Sequence, residues 1–194
     1  ASLRLQGDRR QKGTLLHRLL DLLLAAAQHE IDWRHAPQAA LEQWIERQWP
    51  VLLEQEAANL LLPGKRADSV ELLELGKLAM WDLLGHLRGA QVVEASSNKE
   101  LPSAPFVGGR IGGIIDLLVR NQGGSHAVVD LKFGGGSVRE RELQENRPLQ
   151  LAVYGYLLSC HAKEEWPAAA FHLLRAHRFV AQASSFLPDA RLGH

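Results

Sequence analysis

The sequence predicts an α/β domain, a mixed β-sheet flanked by helices and preceded by a helical lead-in. Three observations carry this expectation. The first ninety residues are rich in leucine and alanine at helical spacing. After Gly89 the texture changes: Gly, Val and Ile become frequent and three strand candidates follow one another. A further helical stretch and a further strand candidate come next, so helices and strands are mixed as in a layered α/β or α+β fold.

The elements follow in order. Residues 13–27 (GTLLHRLLDLLLAAA) form an apolar helix broken at His17, Arg18 and Asp21. These fall at i, i+1 and i+4, so they share one narrow polar stripe. After Pro37, Leu41, Trp44, Ile45, Trp49, Leu52 and Leu53 recur near helical spacing, and Pro50 is expected to kink or divide this second helix. Trp44, Trp49 and Trp81 read as packing residues. The Leu62-Pro63-Gly64 break ends the second helix, and a third runs to about His86 with Asp68 or Ser69 as its N-cap. Strands are expected at 91–101, 106–120 and 126–133, with a turn at 121–125 joining the last two. A glycine run at 134–136 precedes a helix at 143–161, shortened to begin after Pro148 if its first turn is lost. Residues 168–182 read as one more strand. The whole chain, 1–194, is thus expected to be a single domain, with a helical part at 1–90 and a sheet core at 91–182.

Composition narrows the function. The 194 residues can bury a core without staples, and the single cysteine, Cys160, excludes an intramolecular disulfide framework, a four-cysteine zinc site and a cysteine-held iron–sulfur cluster. Apolar runs such as 22–27 are too short to span a membrane, and no basic-then-apolar leader is present, so a cytoplasmic location is expected. Lys+Arg and Asp+Glu both total 22, so there is no overall basic excess of the kind nucleic-acid binders usually show. The charge is uneven, however: the first twenty residues are basic and 30–56 are acidic. The start at Ala1 suits a domain cut from a longer protein.

The chemistry concentrates in the strand cluster. If Gly123 centres the turn, Asp116 lies seven residues before it and Asp130 seven after, directly across the hairpin. Lys132 shares a face with Asp130. Both aspartates sit in apolar runs, Ile114-Ile115-Asp116-Leu117-Leu118 and Val128-Val129-Asp130-Leu131. Burying two adjacent carboxylates is costly unless their pKa values rise, Lys132 neutralises them, or a hard divalent cation such as Mg²⁺ or Mn²⁺ binds. A purely structural Asp–Lys pair at the end of the sheet is the alternative.

Gly113-Ile114-Ile115-Asp116, then Asp130-Leu131-Lys132, then Gln150-Leu151-Ala152-Val153-Tyr154 resembles the RecB-like branch of the PD-(D/E)XK nuclease superfamily. Gly13-Thr14-Leu15-Leu16-His17 matches that branch's glycine-and-histidine helix motif. The order helix, strand, strand, helix is the specific part of the signal, and the resemblance covers about residues 9–182. It implies a restriction-endonuclease-like core. Asp116 and Asp130 would bind Mg²⁺ or Mn²⁺, with His17 and the carbonyl of Leu131 as further ligands. Lys132 would orient or help deprotonate the attacking water and stabilise charge on the phosphate. The family often carries a glutamate on the strand before the G-x-x-D motif, and Glu100 is assigned to it, with Glu94 in reserve. Gln150 and Tyr154 would contact the DNA backbone or brace the site. Iron–sulfur relatives use four cysteines, which this chain lacks, and Ile115 stands where the family name has proline.

The resemblance implies phosphodiester hydrolysis on DNA, at single-stranded or duplex ends, by an exonuclease or endonuclease of recombination and repair that works with a helicase domain or subunit. A catalytically silent nuclease-like DNA-binding or docking module is the alternative. Taken alone, His17 would be a solvent-facing helix histidine, Tyr154 a core aromatic and Gln150 a solvated neighbour. Gly134 to Gly136 give loop freedom or let DNA approach. Arg139, Arg141 and Arg147 either line a phosphate track or, with Glu140, Glu142 and Glu145 between them, form a solvated surface. The glycine run 108–113 lacks the strand-to-helix context and Lys-Ser/Thr ending of a phosphate loop. His35, His172 and His177 show no metal spacing.

Overall fold

The computed structural model describes residues 7–27, 30–162, 166–181 and 186. Helix α1 (Gly7–Ala26) begins six residues before the expected start. It buries Leu15, Leu16, Leu19, Leu20 and Leu23 completely or nearly so, which contributes on the order of 10 kcal/mol of gross hydrophobic stabilisation. Helix α2 (Gln38–Glu56) carries Pro50 inside it and is not divided there. Pro50 is exposed, so its missing N–H removes a bond without burying an orphan partner. The helix ends at Glu56, before the Leu62-Pro63-Gly64 break, and a 3-10 turn (Ala58–Leu61) fills the interval. Helix α3 (Arg66–Gly89) starts ahead of both expected caps. Lys65 holds the cap position without a side-chain cap, and its ammonium pairs with Asp68 at 2.8 Å.

The sheet has five strands in the order β1-β2-β3-β4-β5: β1 (Val92–Phe106), β2 (Gly109–Asn121), β3 (His126–Lys132), β4 (Ala168–Leu173) and β5 (Arg178–Ala181). Three pairings are antiparallel, and β3 with β4 is parallel. Two helices, α4 (Gly136–Gln144) and α5 (Leu149–Ala162), fill the β3-to-β4 crossover. Helix α5 takes the shorter of the two expected starts, just after Pro148, while Leu143 and Gln144 belong to α4, parted from α5 at Asn146, whose φ is 53°. The expected strand at 168–182 is a hairpin, β4 and β5, turned at a 3-10 segment and at His177 with φ 49°. Residue 182 lies outside the described residues.

Strand β1 continues through Pro102 and Pro105, which lie between two expected strands, with a register shift against β2 between Leu101 and Ala104. An edge strand tolerates proline because one row of its N–H groups has no partner to lose. The turn into β2 uses positive φ at Val107 and Gly108.

Two cores sandwich the sheet. Helices α1 to α3 pack with Leu117, Val119, Ala127, Val129 and Leu131. Helix α5, with Leu143 of α4, packs on the other side with Leu101, Ile115, Val128, Phe171 and Val180. Strand β3 is therefore covered on both faces, and its residues 127–131 are all buried. Among the described residues, no helix is long and apolar enough to cross a membrane.

Candidate active site

The β2–β3 ladder has the register expected from the turn. Its last pair is Leu117 with Val129, and one step further sets Asp116 against Asp130. There the two strands part, because the outer half of β2 stays with β1 alone. The fork coincides with a break in the side-chain alternation. Ile115 packs into the α5-side core and Leu117 into the other, although alternate residues of a regular strand share a face. Asn98, across from Asp116 by the register of its neighbours, has φ 48°. Its side-chain amide donates to both oxygens of Asp21 at 2.8 Å.

The fork leaves Leu131 without a β2 partner, and two polar side chains take over. The Leu131 N–H donates to Asp116 Oδ2 at 2.9 Å, and His17 Nε2 donates to the Leu131 carbonyl at 3.1 Å. The stripe that marks α1 in the sequence thus delivers His17 to β3. Gly13, one turn earlier, lies against Phe133, where a Cβ would come within 3.5 Å of the phenylalanine.

Asp130 is fully buried. Lys132 Nζ stands 2.7 Å from its Oδ2 as an ion pair, and Oδ1 has no partner among the described residues. Burial pushes the Asp130 carboxyl up to about 6; Lys132 pulls against the rise and the Asp116 charge adds to it. The chain of contacts continues outward. Lys132 Nζ donates to Gln150 Oε1 at 3.1 Å, and Gln150 Nε2 donates to the Tyr154 hydroxyl at 2.8 Å. Gln150 and Tyr154 stand one turn apart on α5. Burial raises the Tyr154 phenol, with Gln150 opposing it. Tyr154 lies on Gly113, where a Cβ would meet its ring at 3.1 Å.

His17, Asp116, Asp130, Leu131, Lys132, Gln150 and Tyr154 therefore meet in one place. Glu100 does not join them. It is exposed and opposite Ile114. The neighbours of Ile114, Gly113 and Ile115, face α5, so Glu100 points away from Lys132, Gln150 and Tyr154. No hydrogen bond or ion pair joins Glu100 to the cluster among the described residues. Glu94, the reserve, forms a two-pronged ion pair with Arg120 near the other end of the hairpin, which holds its carboxyl below the usual range.

Among the described residues, no three His, Cys, Asp or Glu side chains already stand close enough together to hold an ion. The donor chemistry nevertheless fits a hard divalent cation. Two carboxylates adjoin a main-chain carbonyl, and the more buried carboxylate has one oxygen, Oδ1, with no partner among the described residues. A model of the PD-(D/E)XK nuclease superfamily matches residues 3–187 of the chain. The chain belongs to the PD-(D/E)XK nuclease superfamily. No curated protein matches it. Members of this superfamily are phosphodiesterases that generally use divalent metals, which agrees with a carboxylate pair at a strand fork.

Three features of this nuclease fold escaped the sequence reading. Asp21 is tied to Asn98 beside the fork. His172, which spacing left unassigned, is fully buried, and its Nε2 donates to Asp82 Oδ2 at 3.0 Å. Arg139 pairs with Glu142 within α4 and also stacks over Phe171. The hydrogen-bond partners of Asp21, His172 and Arg139 lie 77, 90 and 3 residues away respectively, and only the last spacing could have signalled a pair.

Proposed function

We propose that this chain is a Mg²⁺- or Mn²⁺-dependent deoxyribonuclease of the RecB-like branch, acting in recombination or DNA repair beside a helicase domain or subunit. One observation carries the reading: a fully buried carboxylate, Asp130, paired with Lys132 and set beside Asp116 at the point where β2 leaves β3. The branch is favoured by the order of the motifs, by His17 on α1 and by the Gln150–Tyr154 pair. The lone cysteine separates the chain from iron–sulfur relatives.

Asp116, Asp130, the Leu131 carbonyl and His17 would hold the cation, which would supply Lewis acidity toward water and phosphate oxygen. His17 must then give up its bond to Leu131 and present a neutral ring nitrogen. Lys132 has three ammonium protons. Asp130 and Gln150 engage the group on two sides, leaving one proton to donate to the attacking water or to a non-bridging phosphate oxygen. Gln150, braced by Tyr154, fixes that direction. Glu100 is left outside this mechanism. The electrostatic help of one such donor is worth roughly 10²- to 10³-fold in rate.

The test is cleavage of end-labelled single-stranded and duplex DNA with Mg²⁺ or Mn²⁺, beside Asp130→Ala and a chelator control. Metal-dependent cleavage that disappears in the variant is expected, and the product ladder separates exonuclease from endonuclease action. No cleavage together with no Mn²⁺ binding by calorimetry would replace this reading with a silent nuclease-like module.

A further inference from the structure

We propose that Arg139 is a further catalytic residue of this site, donating from Nε and Nη2 of its guanidinium to a phosphate oxygen of the nucleic acid. The inference rests on the nuclease reading above. Arg139 lies near the start of α4, the helix that leaves the active-site strand across the glycine turn. Its guanidinium carbon stands 5.5 Å from the centre of the Phe171 ring. Phe171 pairs with Asp130 in the β3–β4 ladder, and paired residues share a face of the sheet. Arg139 is thus stacked over the position beside Asp130, and its positive charge is felt there.

The guanidinium is held at one end only. Nη1 donates to both oxygens of Glu142, at 2.7 and 2.6 Å. The side-on edge, Nε with Nη2, has no partner among the described residues, and Nε is buried. Leaving a buried charged donor unpaired costs more than leaving a neutral one. An arginine serving only to staple α4 would be expected to use this edge. Stacking and the Glu142 anchor together fix a planar fork with two parallel donors, the arrangement that grips phosphate in two-pronged fashion. The side chain as a whole is 30% exposed while Nε is closed to solvent, so an incoming phosphate oxygen would meet Nη2 first and reach Nε as the guanidinium shifts over Phe171. The neighbouring acids do not compete for the fork, because Glu140 pairs with Arg178 and Glu145 with Arg147.

The experiment compares the full chain with Arg139→Ala and Arg139→Lys for kcat and KM on labelled DNA with Mn²⁺, for Mn²⁺ affinity by calorimetry and for thermal melting. Arg139→Ala is expected to lose roughly 10²- to 10³-fold in kcat/KM while keeping Mn²⁺ affinity and a cooperative melt. Added guanidinium should restore part of the loss. Arg139→Lys should recover only a minor part, since an ammonium cannot form the fork. Should the alanine variant fail to fold, Arg139→Gln, which keeps a stem over Phe171, takes its place. Activity within about threefold of the wild type would overturn the proposal and leave the nuclease reading standing. So would a loss that follows Mn²⁺ affinity or melting temperature without guanidinium rescue. A wild-type chain that cleaves nothing would remove the nuclease reading and this proposal together.

Discussion

Asp130 sits in a strand covered on both faces, and its carboxylate is paired with Lys132 through Oδ2 alone. Burial lifts its pKa from 3.8 to about 6. A folded pKa above the unfolded one means the native state keeps a proton that the unfolded chain releases between about pH 4 and 6, so stability falls as pH rises through that window. The displacement corresponds to at most about 3 kcal/mol at neutral pH. Asp130→Asn is therefore expected to abolish cleavage yet raise the metal-free melting temperature at neutral pH, by about 1–3 kcal/mol in stability. The gain should vanish near pH 4. Melting curves at both pH values check this, and a variant less stable at neutral pH would refute it. Lys132 is bound to the same balance. From the motif alone, Lys132→Ala should remove activity and leave folding and metal binding intact. The ion pair changes that expectation, because the variant leaves Asp130 without its adjacent cation. Without metal it should lose about 1–3 kcal/mol, a figure kept low because Lys132 is 24% exposed. Saturating Mn²⁺ should recover part of the stability and none of the cleavage. Equal losses with and without Mn²⁺ would place the cation elsewhere.

At the scale of elements, the glycines of the motifs have physical work that the motif pattern does not state. Gly113 makes room for Tyr154, so the strand motif and the helix motif touch through that absent side chain. Gly113→Ala places a methyl 3.1 Å from the ring and should turn Tyr154 away from Gln150. Cleavage is expected to fall by roughly tenfold or more, with a stability cost of about 1–3 kcal/mol. Full activity in a folded variant would show that Tyr154 does not brace Lys132. The sequence made the hairpin legible because turn chemistry and alternation are local: the Asn121–Ser125 turn sets the register that faces Asp116 with Asp130. Tertiary partners stayed hidden. Nothing local shows that β2 abandons β3 at Asp116, that proline can ride an edge strand at 102 and 105, or that Glu100 falls on the face away from α5. Charge alternation in α4 reads as solvated surface until Phe171, thirty-two residues later, supplies a stacking face for Arg139. Pro50 does not divide α2, because an exposed helix face can lose one hydrogen bond and continue.

Across the whole molecule, the sheet separates two buried ionisable groups with opposite demands. Asp130 lies on the α5 side. His172 lies on the side of the helical lead-in, where Asp82 of α3 accepts its Nε2 proton and the Phe179 ring centre is 4.8 Å from its own. Burial draws the His172 pKa below its ordinary value of 6.5, against the pull of Asp82. Here the folded state excludes a proton that the unfolded chain takes up, so the contribution to stability is present above about pH 6.5 and is lost as pH falls. The two groups therefore tilt the stability curve in opposite directions between about pH 4 and 6.5. His172→Asn keeps a donor for Asp82 and removes the titration, while Asp130→Asn removes the other one. Urea midpoints for both variants and the wild type across that range isolate each slope, since titrations shared by all three cancel in the differences. The His172→Asn curve should approach or overtake the wild type as pH falls, and the Asp130→Asn curve should pull ahead as pH rises. Parallel curves for all three proteins would mean that neither burial is felt as an unfolding equilibrium. Diverging curves would show that the nuclease site and the helical layer behind it each impose a proton balance, and that the two contributions oppose each other in the wild type.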